Sequence, residues 1–99
     1  VTLQGVSAQY PALSGPLVNQ GLIFIRQEKW DDALHALDAA LKTNAQNPYA
    51  WNLRGVVLRE QGKFADARKS YERALALDPL YAKAHFNLGV LADLYLQDL

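Results

Sequence analysis

Two imidazoles and one acidic pair, His35, His85 and Asp31-Asp32, are the side chains of this sequence that invite a catalytic or metal-binding reading. An imidazole set among carboxylates can make a general acid–base pair or a metal centre. The spacing argues against both. The two His lie fifty residues apart. Asp31-Asp32 opens a segment of helical apolar periodicity, where carboxylates favour a helix N-terminus through capping and the helix dipole. No Gly-rich phosphate loop, His-Glu-x-x-His spacing or nucleophile elbow occurs in the sequence. There is no Cys, which excludes disulfides and thiolate chemistry. The residues therefore read as non-enzymatic, with no cofactor and no metal. Trp30, Trp51 and the five Tyr fit a helical core better than a platform for stacking bases.

Composition narrows the partner in the same direction. Ten basic residues balance ten acidic ones, so no net field draws in nucleic acid or an anionic membrane surface. No apolar run approaches the roughly 18 residues that a membrane-spanning helix needs. The chain is expected to be soluble, with its compartment left open between cytoplasm and periplasm. It starts at Val1 rather than Met, which suggests a piece trimmed from something longer. With 99 residues, 51% of them hydrophobic, one domain can bury a continuous core without covalent staples.

What would position such side chains is a repeat. Gly21, Gly55 and Gly89 are each 34 residues from the next. The same shift pairs Trp30 with Phe64, Ala33 with Ala67, Leu37 with Tyr71, Ala40 with Ala74 and Leu41 with Leu75, and it pairs Trp51 with Leu17 and His85. A fixed period of this length with size classes kept is the mark of stacked supersecondary units. Each unit divides into two helices. In the central unit Asn47 can cap and Pro48 can hold the first helical position, which predicts a first helix over 48–61. Gly62 supplies a positive φ, and Phe64, Ala67, Tyr71, Ala74 and Leu75 then share one helical face up to Pro79.

The other units vary this plan. In the first, Ser14 and Pro16 open helix A, and Asp31 is the expected cap of helix B. Glu28 stands where the turn glycine would be, so a looser turn is expected there. Ala45 replaces the terminal proline, which predicts fraying over 43–46. Leu3, Val6 and Pro11 match Leu37, Ala40 and Ala45 by the same shift, so 1–10 reads as the tail of a preceding helix B, although Gly5 weakens it. The expected divisions are 1–13 as that tail or an N-terminal cap, 14–47 as one repeat, 48–81 as a second and 82–99 as the first helix of a third.

These landmarks resemble the tetratricopeptide repeat, whose 34-residue pattern holds a Trp, a Leu-Gly pair, a Tyr, then Ala, Phe and Pro. The central unit offers Trp51, Gly55, Leu58, Ala67, Tyr71 and Pro79, with Arg54 in place of the usual Leu. The third keeps Leu88-Gly89, with His85 in the Trp place. The resemblance covers about residues 14 to 95 and implies an all-α fold, a right-handed superhelical stack of antiparallel helix pairs. Small residues then mark close helix approaches, and a bulky side chain at Ala67 or Gly55 would overpack the interface at a cost of roughly 1 to 3 kcal/mol.

For function the resemblance implies a protein-interaction scaffold that receives a peptide or a partner-protein segment on the concave face of the A helices. The groove places of the family fall here on Val18, Leu22 and Ile25, on Asn52, Val56 and Arg59, and on Phe86, Val90 and Asp93. Tyr49 and Lys83 stand near the helix starts at the rim. Cover of Val18, Leu22 and Ile25 by an additional helix or by a missing preceding unit is the competing reading of the first three. The family's clamp for a C-terminal carboxylate needs Lys, Asn and Arg where this chain has Val18, Leu22, Leu53, Lys83 and Asn87. Only Lys83 fits, so that clamp is not expected. The alternative function is a structural or self-associating segment of a larger protein, a homo-oligomer joined through a last helix that exposes Leu88, Leu91, Tyr95 and Leu99.

Overall fold

The computed structural model describes residues 15–98, with side chains through residue 94. The expected cap Ser14 and the expected helical tail over 1–10 lie outside the described residues. Among the described residues the order is α1 (Pro16–Arg26), α2 (Trp30–Thr43), α3 (Pro48–Glu60), α4 (Phe64–Leu77) and α5 (Ala82–Asp98), and there is no strand. Each helix packs on the next. In addition α1 approaches α3 and α3 approaches α5, whereas α2 and α4 do not approach one another. The odd-numbered helices are thus crowded into an inner layer and the even-numbered ones splay as an outer layer, which bends the stack toward the odd-numbered side.

Local chemistry sets the helix ends. The Asn47 side chain accepts from the Ala50 backbone N–H at 3.2 Å and Pro48 occupies the first turn of α3, as the sequence predicts. Helix α2 corrects the expected cap. It starts at Trp30, behind a Lys29 that makes no side-chain cap, and Asp31 and Asp32 lie within the first turn. There the carboxylates still favour the positive end of the helix. Asp31 also accepts from Gln61 Nε2 at 2.7 Å, which ties the start of α2 to the end of α3.

The turn at Glu28 is not looser than its glycine counterpart. Glu28 has φ 58° and Gly62 has φ 79°. Lys29 N–H donates to the Phe24 carbonyl at 2.9 Å, and Lys63 N–H donates to the Leu58 carbonyl at 2.8 Å. The packed helix pair imposes one turn on both sequences, and Glu28 adopts a left-handed conformation that disfavours a side chain. Glu28→Gly should therefore raise stability by about 0.5–1 kcal/mol, after allowing for the greater unfolded-chain freedom of glycine. Urea denaturation checks this, and a lowered midpoint would mean that the turn stores no such strain.

Fraying over 43–46 is likewise absent. Helix α2 stops at Thr43, and Asn44 Oδ1 accepts from Gln46 N–H at 3.0 Å. One repeat later α4 stops at Leu77, and Asp78 Oδ1 accepts from Leu80 N–H at 3.2 Å. The side-chain turn, rather than the proline, ends these helices. Trp51 Nε1 donates to the Ala45 carbonyl at 2.8 Å, and His85 Nε2 lies 2.8 Å from the Pro79 carbonyl. A carbonyl only accepts, so Nε2 carries the hydrogen, and His85 performs the anchoring done by Trp51.

The glycines explain how close the pairs come. A Cβ on Gly21 would lie 2.8 Å from Leu37 Cδ2, and one on Gly55 would fall on the Tyr71 ring. Around the first contact Val18, Ala33, Leu37, Ala40, Leu41, Ala50, Leu53 and Val57 form one buried cluster. Around the second, Leu58, Ala67, Tyr71 and Leu91 form another. Arg54, which takes the place of an expected Leu, joins the repeats from the side. Its Nε donates to Asp38 at 2.7 Å and its Nη1 to Ser70 Oγ at 2.8 Å, while the guanidinium groups of Arg54 and Arg73 each lie over the Trp51 ring, at 5.8 and 5.9 Å from its centre.

Candidate binding groove

The inner layer places the eleven expected groove residues at unequal depths. On α1, Val18 is only 2% exposed and belongs to the core, where it presents nothing to a ligand. Its depth follows from its place beside Ala40 and Asn47, with which it lines a small cleft of about 200 Å³. Leu22 and Ile25 are half-buried against the same cluster.

On α3, Asn52 is 3% exposed and is used inside the protein. Its Oδ1 accepts from Asn87 Nδ2 at 2.9 Å, across to α5. It also shares a side-chain hydrogen bond with Tyr81. Burial first, and then the neighbouring Tyr49, push the Tyr81 phenol up to about 12 against the pull of that hydrogen bond, so the ring stays neutral at physiological pH. Asn52 is thus a buried residue of the inner layer that ties α3 to α5, a polar link in which a buried amide keeps its partners. Val56 is half-buried against the second cluster. Arg59 is half-buried, with Nη2 3.4 Å from Glu60 Oε2.

On α5, Phe86 is 71% exposed, an unusual cost in uncovered apolar area for an aromatic side chain. Lys83 and Asp93 are exposed, and Val90 is half-buried. Ala82, Lys83, Phe86 and Asn87 line an open hollow of about 420 Å³. The inner layer therefore offers an apolar strip of Leu22, Ile25, Val56, Val90 and Phe86, with Lys83, Arg59 and Asp93 as its charges and Asn87 as a half-exposed amide.

Tyr81 is not among the expected groove residues, and Asn87 is expected only as a place of the carboxylate clamp, yet both hydrogen-bond to Asn52. A signal was present: Asn52 and Asn87 are one repeat and one residue apart, which sets two amides on facing edges of adjacent inner helices. Leu91 corrects the expected association face. It is fully buried against α4, as Val57 is 34 residues earlier against α2, while Leu88 is half-buried against the second cluster. Tyr95 and Leu99, the other members of that face, have side chains outside those described.

The chemistry-bearing side chains of the sequence do not converge. His35 is exposed on the outer layer, His85 anchors a loop, and Asp31 bonds to Gln61. Among the described residues no group of three or more His, Cys, Asp or Glu could hold a metal ion, and no helix is long and apolar enough to cross a membrane.

Comparison with known proteins bears on this geometry. The family description "Tetratricopeptide repeat" matches residues 18–68, and a second one, "TPR repeat", matches residues 55–94. The peroxisomal targeting signal receptor of Candida glabrata is 34% identical over 70 residues, which is 71% of this chain and 12% of that protein. A probable UDP-N-acetylglucosamine–peptide N-acetylglucosaminyltransferase SPINDLY of Solanum lycopersicum is 36% identical over 75 residues, 76% of this chain and 8% of that protein. Among solved structures, the first TPR of Spaghetti (RPAP3) bound to HSP90 peptide SRMEEVD is similar with a TM-score of 0.74 and 27% identity, covering 76% of this chain and 60% of that chain. The chain spans about an eighth of the length of the receptor and less of the transferase.

Proposed function

The chain belongs to the tetratricopeptide-repeat family, and from that premise we propose that it is a non-enzymatic scaffold that holds a peptide or an extended partner-protein segment on its inner layer. The observation that carries the reading is Phe86, 71% exposed beside a hollow lined by Lys83 and Asn87 on the face toward which the stack bends. A receptor for a targeting signal and a repeat domain with a bound peptide, both similar to this chain, support the same reading. The SPINDLY name does not carry over, because the match spans 8% of that protein.

The partner differs in chemistry from an acidic tail held by its carboxylates. Of the places that would clamp a carboxylate, Val18 is 2% and Leu53 8% exposed, both apolar, and Leu22 is a half-buried apolar residue. Lys83 and Asn87 remain. A segment that sets an apolar side chain on Phe86 and Val90, turns a backbone group toward Asn87 and carries one acidic group for Lys83 fits this surface.

The test is residue-level mapping with a peptide of twelve residues or so, selected on the immobilised chain from a random display library. On titration into the isotope-labelled protein, the largest NMR shift changes should fall on Val56, Arg59, Phe86, Asn87 and Val90. Changes confined to the outer faces of α2 and α4 would overturn the reading.

A further inference from the structure

We infer that Asp31 and Asp38 on α2, with Arg54 and Gln61 on α3, form a two-rung polar clasp that sets the angle between the α1–α2 hairpin and the α3–α4 hairpin. The clasp thereby positions α1 against α3 for a segment held on the inner layer, a step that rests on the binding reading above. Asp31 Oδ1 accepts from Gln61 Nε2 at 2.7 Å, and Asp38 Oδ1 accepts from Arg54 Nε at 2.7 Å. The two acids are seven residues apart, and so are the two donors. Seven residues make about two helical turns, so each pair lies along one face of its helix. The earlier acid meets the later donor, as neighbouring helices of opposite direction require. The four residues are one ladder across the joint rather than two unrelated contacts.

The bodies on either side of the joint are stiff. Gly21 receives Leu37 and Gly55 receives Tyr71 so closely that a Cβ could not be added, which fixes α1 on α2 and α3 on α4. Between the two hairpins, Val18, Leu37, Leu53 and Val57 share an apolar cluster, and apolar burial is non-directional and tolerates small sliding. The clasp is directional. Its donor at Arg54 is itself held, because Nη1 donates at 2.8 Å to Oγ of the fully buried Ser70 and the guanidinium lies over the Trp51 ring. Arg54 therefore transmits the position of α4 to Asp38 on α2, across a gap where those outer helices do not approach one another.

The next joint is built differently. One repeat on, the same register sets Ala65 and Glu72 on α4 against Leu88 and Tyr95 on α5. Glu72 pairs within its own helix with Arg68 at 3.7 Å, and Leu88 packs on the second apolar cluster. The first joint is thus the salt-sensitive one. Partly exposed ion pairs contribute little to overall stability, but little energy is needed to bias a hinge between two stiff bodies, so the clasp acts on the angle rather than on the unfolding midpoint.

The chain contains no Cys, so His35→Cys and Lys69→Cys, both exposed on the outer layer, place two spin labels uniquely. Double electron–electron resonance then reads the separation of α2 from α4. Asp31→Ala or Asp38→Ala alone leaves one rung and should change the distance little. Together they should lengthen its mean by about 2 Å, the scale of helix shifts at packed interfaces. Helical content, checked by circular dichroism, should be kept, since alanine is the better helix former. Salt at 1 M, where the screening length is about 3 Å, should move the native chain the same way and leave the double variant in place. Glu72→Ala, the matching acid at the next joint, should change nothing. The display-selected peptide should bind the double variant about three- to tenfold more weakly, because the competent angle is then only partly populated. An unchanged distance in the folded double variant, or a single variant that moves it as far as the double, would overturn the clasp. A lengthened distance with unchanged peptide affinity would overturn its positioning role. The distances involve no peptide, so they judge the clasp even where the peptide maps to the outer faces and the groove reading fails.

Discussion

Tyr71→Ala should lower stability by about 3 to 5 kcal/mol, a large share of the roughly 5 to 15 kcal/mol that holds an ordinary domain folded. The ring is fully buried and sits over Gly55, in the cluster of Leu58, Ala67 and Leu91. Its loss would remove transfer energy and also leave a cavity that the surroundings cannot fill, because the residue opposite has no side chain to move. The hydroxyl is not what holds it. Tyr71 Oη is buried with no hydrogen-bond partner, and burial raises its pKa above the ordinary tyrosine value. Tyr71→Phe, which keeps the ring and removes an unpaired polar atom, should hold or raise the denaturation midpoint. Thermal and urea unfolding of the two variants side by side check both statements. A Tyr71→Phe loss as large as that of Tyr71→Ala would mean that the hydroxyl, not the packing, carries the stability.

That contact was legible in the sequence because it needs two residue classes at one period: glycine at 21 and 55, and a bulky residue at 37 and 71. The cap at Asn47 and the positive φ at Gly62 were legible for the same reason, since each rests on one residue's intrinsic preference. The sequence misled where packing overrides preference. Glu28 adopts the glycine turn because both helices on either side are held by the stack. The end of α2 needs no proline because Asn44 makes the turn that Asp78 makes one repeat later. Asp31 lost the cap position because the helix already begins at Trp30.

The candidate groove was legible as a face but not as a depth. A repeat position names the layer on which Val18 and Asn52 lie. It does not say that Val18 is buried in the core, or that Asn52 hydrogen-bonds both Tyr81 and Asn87. Leu91 shows the converse. Its burial follows from that of Val57 one repeat before, so the shift already held the answer.

The second large effect concerns binding. A partner segment on the inner layer must cover Phe86 and run beside Val56, and a carboxylate at either place has to be desolvated, a cost that the exposed Lys83 and the Glu60-paired Arg59 offset only in part. Phe86→Glu and Val56→Glu together should weaken capture by about a hundredfold or more, with charge burial and loss of the aromatic anchor acting in the same direction. Phe86 is 71% exposed, so its replacement alone leaves the core untouched and is the arm in which the fold is safest. The direct measurement is therefore the affinity of the display-selected peptide for the chain, its Phe86→Glu variant and the double variant, with helical content and midpoint recorded for each. A native fold with at least about a tenfold loss in the single variant, deepening in the double one, is the expected result. Unchanged affinity in a folded double variant would contradict the groove as the working surface of this chain.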